Sequence, residues 1–104
     1  MAESLPPFEA ELWLWTGPAT WVFLTLPENL AGEIRVAALL APRGWGSVRV
    51  EAESDGVRWR TSLFPDRSGG SYLLPVKAAV RKAVGAGVGD RIIVRLTLID
   101  QPMF

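Results

Sequence analysis

Residues 21–27, WVFLTLP, begin a pattern that occurs twice in this chain of 104 residues. In the first copy, an apolar run ends in Leu-Pro, a helix-like segment spans residues 28–41, and residues 44–47, GWGS, lead into an alternating strand. In the second copy the same order runs through residues 72–75, YLLP, and residues 87–90, GVGD. A unit this small cannot bury its own apolar face, so it must pack on its copy. The repeat therefore predicts one mainly β domain with two short helices and an internal pseudo-two-fold.

The first predicted hairpin begins at residue 8. Residues 8–16 alternate as one strand, and residues 16–19, TGPA, interrupt the alternation. A three-residue loop there places Trp15 opposite Trp21 and Glu11 opposite Thr25. This register separates an aromatic face from an aliphatic face, whereas a slip of one residue would mix them. The expected aromatic face consists of Trp13, Trp15, Trp21 and Phe23, and the expected aliphatic pairs are Ala10 with Leu26, Leu12 with Leu24 and Leu14 with Val22.

The second predicted hairpin has Asp-Gly at residues 55–56, a strong signal for a two-residue type I′ turn. This turn places Glu53 opposite Arg58 and Glu51 opposite Arg60, so opposite charges meet on one face. Such exposed pairs are worth about 0.2 to 1 kcal/mol each and specify register more than they stabilise.

Two short amphipathic helices are predicted between the strands. The apolar stripe of the first is Leu30, Ile34, either Ala37 or Ala38, and Ala41. The stripe of the second is Val76, Val80 and Val84, with a stop at Gly85. We expect Pro27 and Pro75 in the first helical turns, where a missing N–H matters least.

Composition narrows the class of protein. Eleven basic side chains balance eleven acidic ones, so no global field attracts nucleic acid or an anionic membrane. Cysteine is absent, and residues 1–7 lack the features of a secretory signal, so we expect a cytoplasmic protein. The length predicts a single domain over residues 8–100, between an N-terminal tail of residues 1–7 and a C-terminal tail of residues 101–104.

Several segments together resemble a known bacterial family, the domain of unknown function numbered 1905. The matching residues are 59–65 (WRTSLFP), 72–77 (YLLPVK), 80–82 (VRK), 89–90 (GD) and the closing alternating strand. The resemblance implies a small double-split β-barrel, similar in shape to the AbrB and MazE swapped-hairpin proteins. In those proteins two chains build the barrel, whereas the repeat here suggests that one chain supplies both halves. The resemblance implies no catalytic residues.

The sequence contains few residues that could carry out catalysis. Histidine and cysteine are both absent, so Ser-His and Cys-His pairs are impossible and the commonest metal ligands are missing. A Ser-Lys pair is conceivable between Ser62 or Ser71 and Lys77, against the alternative that these are a solvated amine and surface hydroxyls. The carboxylates of Glu51 and Glu53 are expected to face arginines, which makes them poor general acids. The sequence predicts no catalytic residue, no metal site and no cofactor.

Two features could bind a ligand. The loop at residues 65–71, PDRSGGS, could expose backbone N–H groups to an anion, or it is simply a flexible connection. The tryptophan cluster could stack on a base, a sugar or a planar metabolite, or it belongs to the core. Trp45, between two glycines, is the tryptophan expected to be most exposed. A ligand surface combining both features would consist of Trp13, Trp15, Trp21, Arg67, Lys77 and Arg81.

Three classes of function follow, in descending order. The first is a non-catalytic binding or interaction module for a small ligand or a protein, with no membrane partner, acting as a monomer or weak homodimer. The second is an AbrB-like nucleic-acid-binding regulator, which the zero net charge disfavours. It requires one continuous basic face from Arg43, Arg81, Lys82, Arg91 and Arg95. An enzyme comes last.

Overall fold

The computed structural model describes residues 3–40 and 46–99. Eight strands and two helices lie in these two ranges. In chain order they are β1 (Glu3–Ser4), β2 (Phe8–Glu11), β3 (Trp13–Thr16), β4 (Thr20–Thr25), α1 (Glu28–Leu40), β5 (Val48–Ser54), β6 (Val57–Pro65), β7 (Tyr72–Pro75), α2 (Ala78–Val84) and β8 (Arg91–Leu98).

The strands form one antiparallel, nearly closed barrel. Their order is β1-β8-β5-β6-β7-β4-β3, and β2 also pairs with β8. β2 pairs with β8, near one end of this order, and β3, which follows β2 along the chain, pairs with β4 near the other end. The predicted fold class, a mainly β barrel with two short helices, is confirmed. Strand, helix and strand recur as β4-α1-β5 and β7-α2-β8, and the two-fold relation between these halves stays a prediction.

The chain changes its pairing partner at Leu12. Residues 8–16 were expected to pair with β4 throughout, and this is wrong before Trp13: Glu11 lies opposite Arg91 of β8, not Thr25. The Leu12 N–H donates to the carbonyl of Asp90 at 2.9 Å, and the Leu12 carbonyl accepts the N–H of Gly89 at 2.8 Å. Alternation of side chains fixes which face of the sheet a residue occupies, but it does not fix which strand lies beside that residue.

Both hairpin turns have the predicted register. Trp13 lies opposite Phe23 and Trp15 opposite Trp21. In the second hairpin, Glu53 lies opposite Arg58 and Glu51 opposite Arg60, as expected. Residues 55 and 56 have φ of 50° and 80°, the positive values that a type I′ turn requires.

The first helix follows its predicted stripe: α1 buries Leu30, Ala31, Ile34 and Ala37, and Ala41 lies outside the described residues. The second stripe is only partly helical: Val76 is buried but precedes α2, and Val80 and Val84 are half-buried. α2 ends at Gly85 as predicted, with a φ of 81°. Pro75, however, is the last residue of β7, opposite Phe23, and not part of a helical turn. Alternation along β7 directs its nitrogen toward β6, which no longer pairs with β7 at that point, so the missing N–H costs no ladder hydrogen bond.

The barrel interior is aliphatic. Each strand of the β5-β6-β8 part directs alternate side chains inward, and Val50, Leu63, Val94 and Leu96 have no exposed surface. The packed part of the chain begins before residue 8, since β1 pairs with the end of β8 and Leu5 is buried with its N–H bonded to the Leu96 carbonyl. Within the two described ranges, neither helix has the length and apolar character needed to cross a bilayer.

Candidate functional site

Four aromatic side chains share the outer face of the β3-β4 hairpin: Trp13, Trp15, Trp21 and Phe23, here called the aromatic face. The rings of Trp21 and Phe23 are stacked, with centroids 5.9 Å apart and planes 3° apart. Trp13 and Phe23 meet at 5.5 Å with a tilt of 46°. Trp15 lies directly opposite Trp21 in the strand register, so all four side chains are on the same side of the hairpin.

Burial differs along the aromatic face. Trp13 and Phe23 are half-buried, whereas Trp15 is 40% and Trp21 44% exposed. Trp13 is held in place by its indole Nε1–H, which donates to the Thr25 hydroxyl at 3.0 Å. The Trp15 indole lies over Gly17, where a Cβ would overlap the ring. The cluster is therefore neither entirely core nor entirely exposed, and its exposed half is at the Trp15–Trp21 end.

The hairpin that carries the aromatic face is uncharged. Residues 12–27 include no Asp, Glu, Lys or Arg. The strands β2, β5, β6 and β8 carry charged side chains instead: Arg60 and Glu51 form an ion pair at 3.5 Å, and Arg91 donates to Glu9 at 2.7 Å. The β3-β4 hairpin thus differs from these strands in exposing aromatic side chains without any charged residue.

The predicted basic partners of the aromatic face are divided between two ends of β7. Lys77 is exposed and follows Val76, whose N–H donates to the Val22 carbonyl at 2.9 Å, so it lies beside β4 near Trp21. Arg81 is half-buried, and its Nε–H donates to the Val76 carbonyl at 3.2 Å. Arg67 lies in the loop before β7, and a four-residue strand at about 3.3 Å per residue separates this loop from Lys77. Lys77 therefore lies at the end of β7 that is next to Trp21, Arg81 binds the backbone just before α2, and Arg67 lies at the other end of β7.

The Gly-rich loop is tied to the fold. Its ends are joined by the Asp66 N–H, which donates to the Ser71 carbonyl at 2.8 Å. Arg35 of α1 donates to the Gly70 carbonyl, at 2.6 Å between Nη2 and the oxygen. The buried Ser71 hydroxyl donates to the Leu26 carbonyl, and β7 separates it from Lys77. A Ser71–Lys77 pair is therefore not assembled.

A separate open cleft of about 640 Å³ lies where the β5-β6 turn, the end of α2 and the first half of β8 meet. Three of its four carboxylates have partners within the fold: Glu9 pairs with Arg91, Asp90 accepts the Gly87 N–H at 2.9 Å, and Glu53 accepts the Gly56 N–H at 2.9 Å. In the described ranges no acidic cluster is suited to holding a metal ion. None of the six residues predicted to bind a ligand lines this cleft. The residues that line this cleft come from segments far apart in the sequence, so no local sequence pattern predicts it.

The residues required for a nucleic-acid interface have mixed surroundings. Arg91 is neutralised by Glu9, while Arg95 and Lys82 are exposed. Arg43 lies outside the described residues, as does Trp45, so the continuous basic face and the exposure of Trp45 stay predictions.

Comparison with the models of known protein families identifies the family of this chain. The family model described as domain of unknown function DUF1905 matches residues 8–96, which include every strand of the barrel except β1 and the last residues of β8. The chain belongs to the DUF1905 family, as the sequence resemblance indicated. A search of the curated proteins found no match.

Proposed function

We propose that this protein is a non-catalytic binding module whose contact surface is the aromatic face, and that its ligand carries an uncharged planar ring. The observation that carries the proposal is the exposure of Trp15 and Trp21 on one side of a hairpin without charge. Exposed aromatic surface of this kind gains about 1 to 3 kcal/mol for each stacked ring. Because residues 12–27 supply no ionic partner, recognition there rests on stacking and on hydrogen bonds from the ligand's rim.

Lys77 adds one cation beside this surface. Its exposed position at the start of α2 lets the ammonium reach a polar or anionic substituent on a ring stacked over Trp21. Arg81 supports the start of α2 through its bond to the Val76 carbonyl and acts as a positioning residue. Arg67 has no part in this contact surface. We also propose a cytoplasmic location, supported by the lack of cysteine.

Indole N–H resonances in a two-dimensional NMR spectrum test the proposal. Titration with adenosine, methyl glucoside and a short oligothymidylate should shift the Trp15 and Trp21 indole signals for at least one probe. The Trp59 indole nitrogen is buried and serves as an internal reference that should not move.

Two variants sharpen this experiment. Trp21→Ser should abolish the shifts, whereas Leu39→Ser, at an exposed position on α1, should leave them unchanged. Absence of any shift at Trp15 and Trp21 with all three probes would contradict the proposal. A response to the oligothymidylate alone that spreads to Lys82, Arg91 and Arg95 would support the regulator alternative instead.

A further inference from the structure

The edge of β3 that faces away from β4 has backbone groups without a partner strand in the described part of the chain. The Val22 carbonyl accepts the Val76 N–H, so the backbone groups of Val22 point toward β7. Alternation along β4 then directs the backbone of Trp21 and Phe23 toward β3. Their partners Trp15 and Trp13 use their own N–H and C=O groups in that ladder, which leaves those of Leu14 and Thr16 pointing outward.

Two residues before Leu14, the same edge of the chain is already hydrogen-bonded to another segment. The backbone groups of Leu12 point in the same direction as those of Leu14, and they bond to Gly89 and Asp90. The pairing ends there because the segment from Gly87 to Asp90 closes on itself: the Asp90 N–H donates to the Gly87 carbonyl at 3.0 Å. The free edge at Leu14 and Thr16 therefore continues an existing line of strand pairing.

The chemistry around this edge determines what fits it. Leu14 is 47% exposed on one face of β3, and Trp15 is exposed on the other. An incoming strand must be apolar on both faces and uncharged, and β3 itself, WLWT, has these properties. Sheet edges are normally protected by charges, proline or a bulge, and β3 has no charged residue and no proline.

We propose that a second copy of this chain adds to the barrel at β3, in an antiparallel pairing about a two-fold axis at Trp15. In that register Leu14 of one copy lies opposite Thr16 of the other, and each such pair exchanges two hydrogen bonds. The two-fold makes the contact self-complementary, as in most dimers. β3 is four residues long, so the contact is far smaller than the ~800 Å² per partner of a standard interface. The homodimer is weak and forms at high protein concentration.

This inference concerns the strand edge and does not depend on ligand binding at the aromatic face. Backbone amide hydrogen exchange, measured by NMR in dilute solution and at millimolar protein concentration, provides the test. The amides of Leu14 and Thr16 should exchange at least tenfold more slowly in the concentrated sample. The amides of Trp13 and Trp15, which point toward β4, should be protected equally in both samples.

A variant provides the independent arm of the test. Leu14→Lys places a charge at the edge, and its exposed position lets the ammonium reach water. In analytical ultracentrifugation, this variant should sediment as a monomer at concentrations where the unmodified protein and the Leu39→Lys control sediment as dimers. Exchange rates of Leu14 and Thr16 that do not change with concentration would overturn the proposal. Dimerisation that Leu14→Lys leaves intact would overturn it too. Since hydrogen exchange uses the unmodified protein, the proposal stays testable if the variant fails to fold.

Discussion

The side-chain hydroxyl of Ser71 donates a 2.7 Å hydrogen bond to the backbone carbonyl of Leu26, 45 residues earlier in the chain. The Leu26 N–H in turn donates to the Tyr72 carbonyl at 2.9 Å. Both backbone polar groups of Leu26 are therefore hydrogen-bonded to residues at the start of β7. These two bonds connect the segment between β4 and α1 to β7. A hydroxyl considered as a nucleophile from sequence is a structural donor in the fold.

Ser71→Ala should destabilise the protein by about 1 to 3 kcal/mol, because the buried Leu26 carbonyl loses its hydrogen-bond donor. Urea denaturation followed by tryptophan fluorescence measures the change. Ser68→Ala is the matched control: the Ser68 hydroxyl bonds only to Asp66 in the same exposed loop, and its loss should change stability by less than about 0.5 kcal/mol. Equal effects at the two serines would contradict this role for Ser71.

Gly56→Val should destabilise by on the order of 1 kcal/mol or more, because a β-branched residue resists the φ of 80° at this position. A Cβ at Gly56 meets no atom within 4 Å, so the effect is conformational and not a clash. Gly56→Asn is the control and should cost less, since Asn tolerates positive φ. A neutral Gly56→Val result would mean that the turn does not need its positive φ.

Substitution of glycine by alanine should change the stability of the protein in opposite directions at Gly32 and Gly85. Gly32 lies inside α1 with open space around it, so Gly32→Ala should stabilise the protein by roughly 0.5 to 1 kcal/mol. Gly85 also has open space, but its φ is 81°, so Gly85→Ala should destabilise it. Thermal unfolding of both variants tests the pair, and a shift of the same sign in both would refute the expectation.

Leu12→Ala should cost about 2 to 5 kcal/mol, because this side chain is fully buried where the N-terminal segment closes the barrel. Leu14→Ala, two residues later on the same side of the strand, removes the same atoms from a 47% exposed position and should cost much less. Chemical denaturation compares the two. Similar losses would show that burial at Leu12 does not hold the closure together.

The local patterns that predicted the structure correctly share a physical basis. The Asp-Gly turn at residues 55–56 sets the register of β5 and β6 because only such residues accept positive φ at both positions. The alternation of residues 8–16 and 20–26 assigns aromatic and aliphatic faces because side chains alternate along every strand. Gly85 ends α2 because it adopts the left-handed conformation without strain.

The candidate site was predicted only in part. The four aromatic side chains of the hairpin were placed on one face from sequence, but their exposure was not. The sequence predicts that Arg67 and Lys77 converge on one ligand with the aromatic side chains, but the extended β7 lies between the two basic residues. The sequence signal that best indicates the exposed surface is the lack of charge over residues 12–27. A hairpin that only buries one apolar face can carry charged residues in its loop and on its other face, whereas this hairpin carries none.

The sequence by itself determined the types of most elements, the faces of the strands and the registers next to the two hairpin turns, because each depends on residues that are near neighbours along the chain. Only the tertiary structure decided which strands lie side by side. The transfer of the chain from β8 to β4 at Leu12, the bond from Ser71 to Leu26 and the free edge at Leu14 all depend on how distant backbone groups find partners. Every buried peptide group must be satisfied somewhere in the fold, and local periodicity does not specify by which strand.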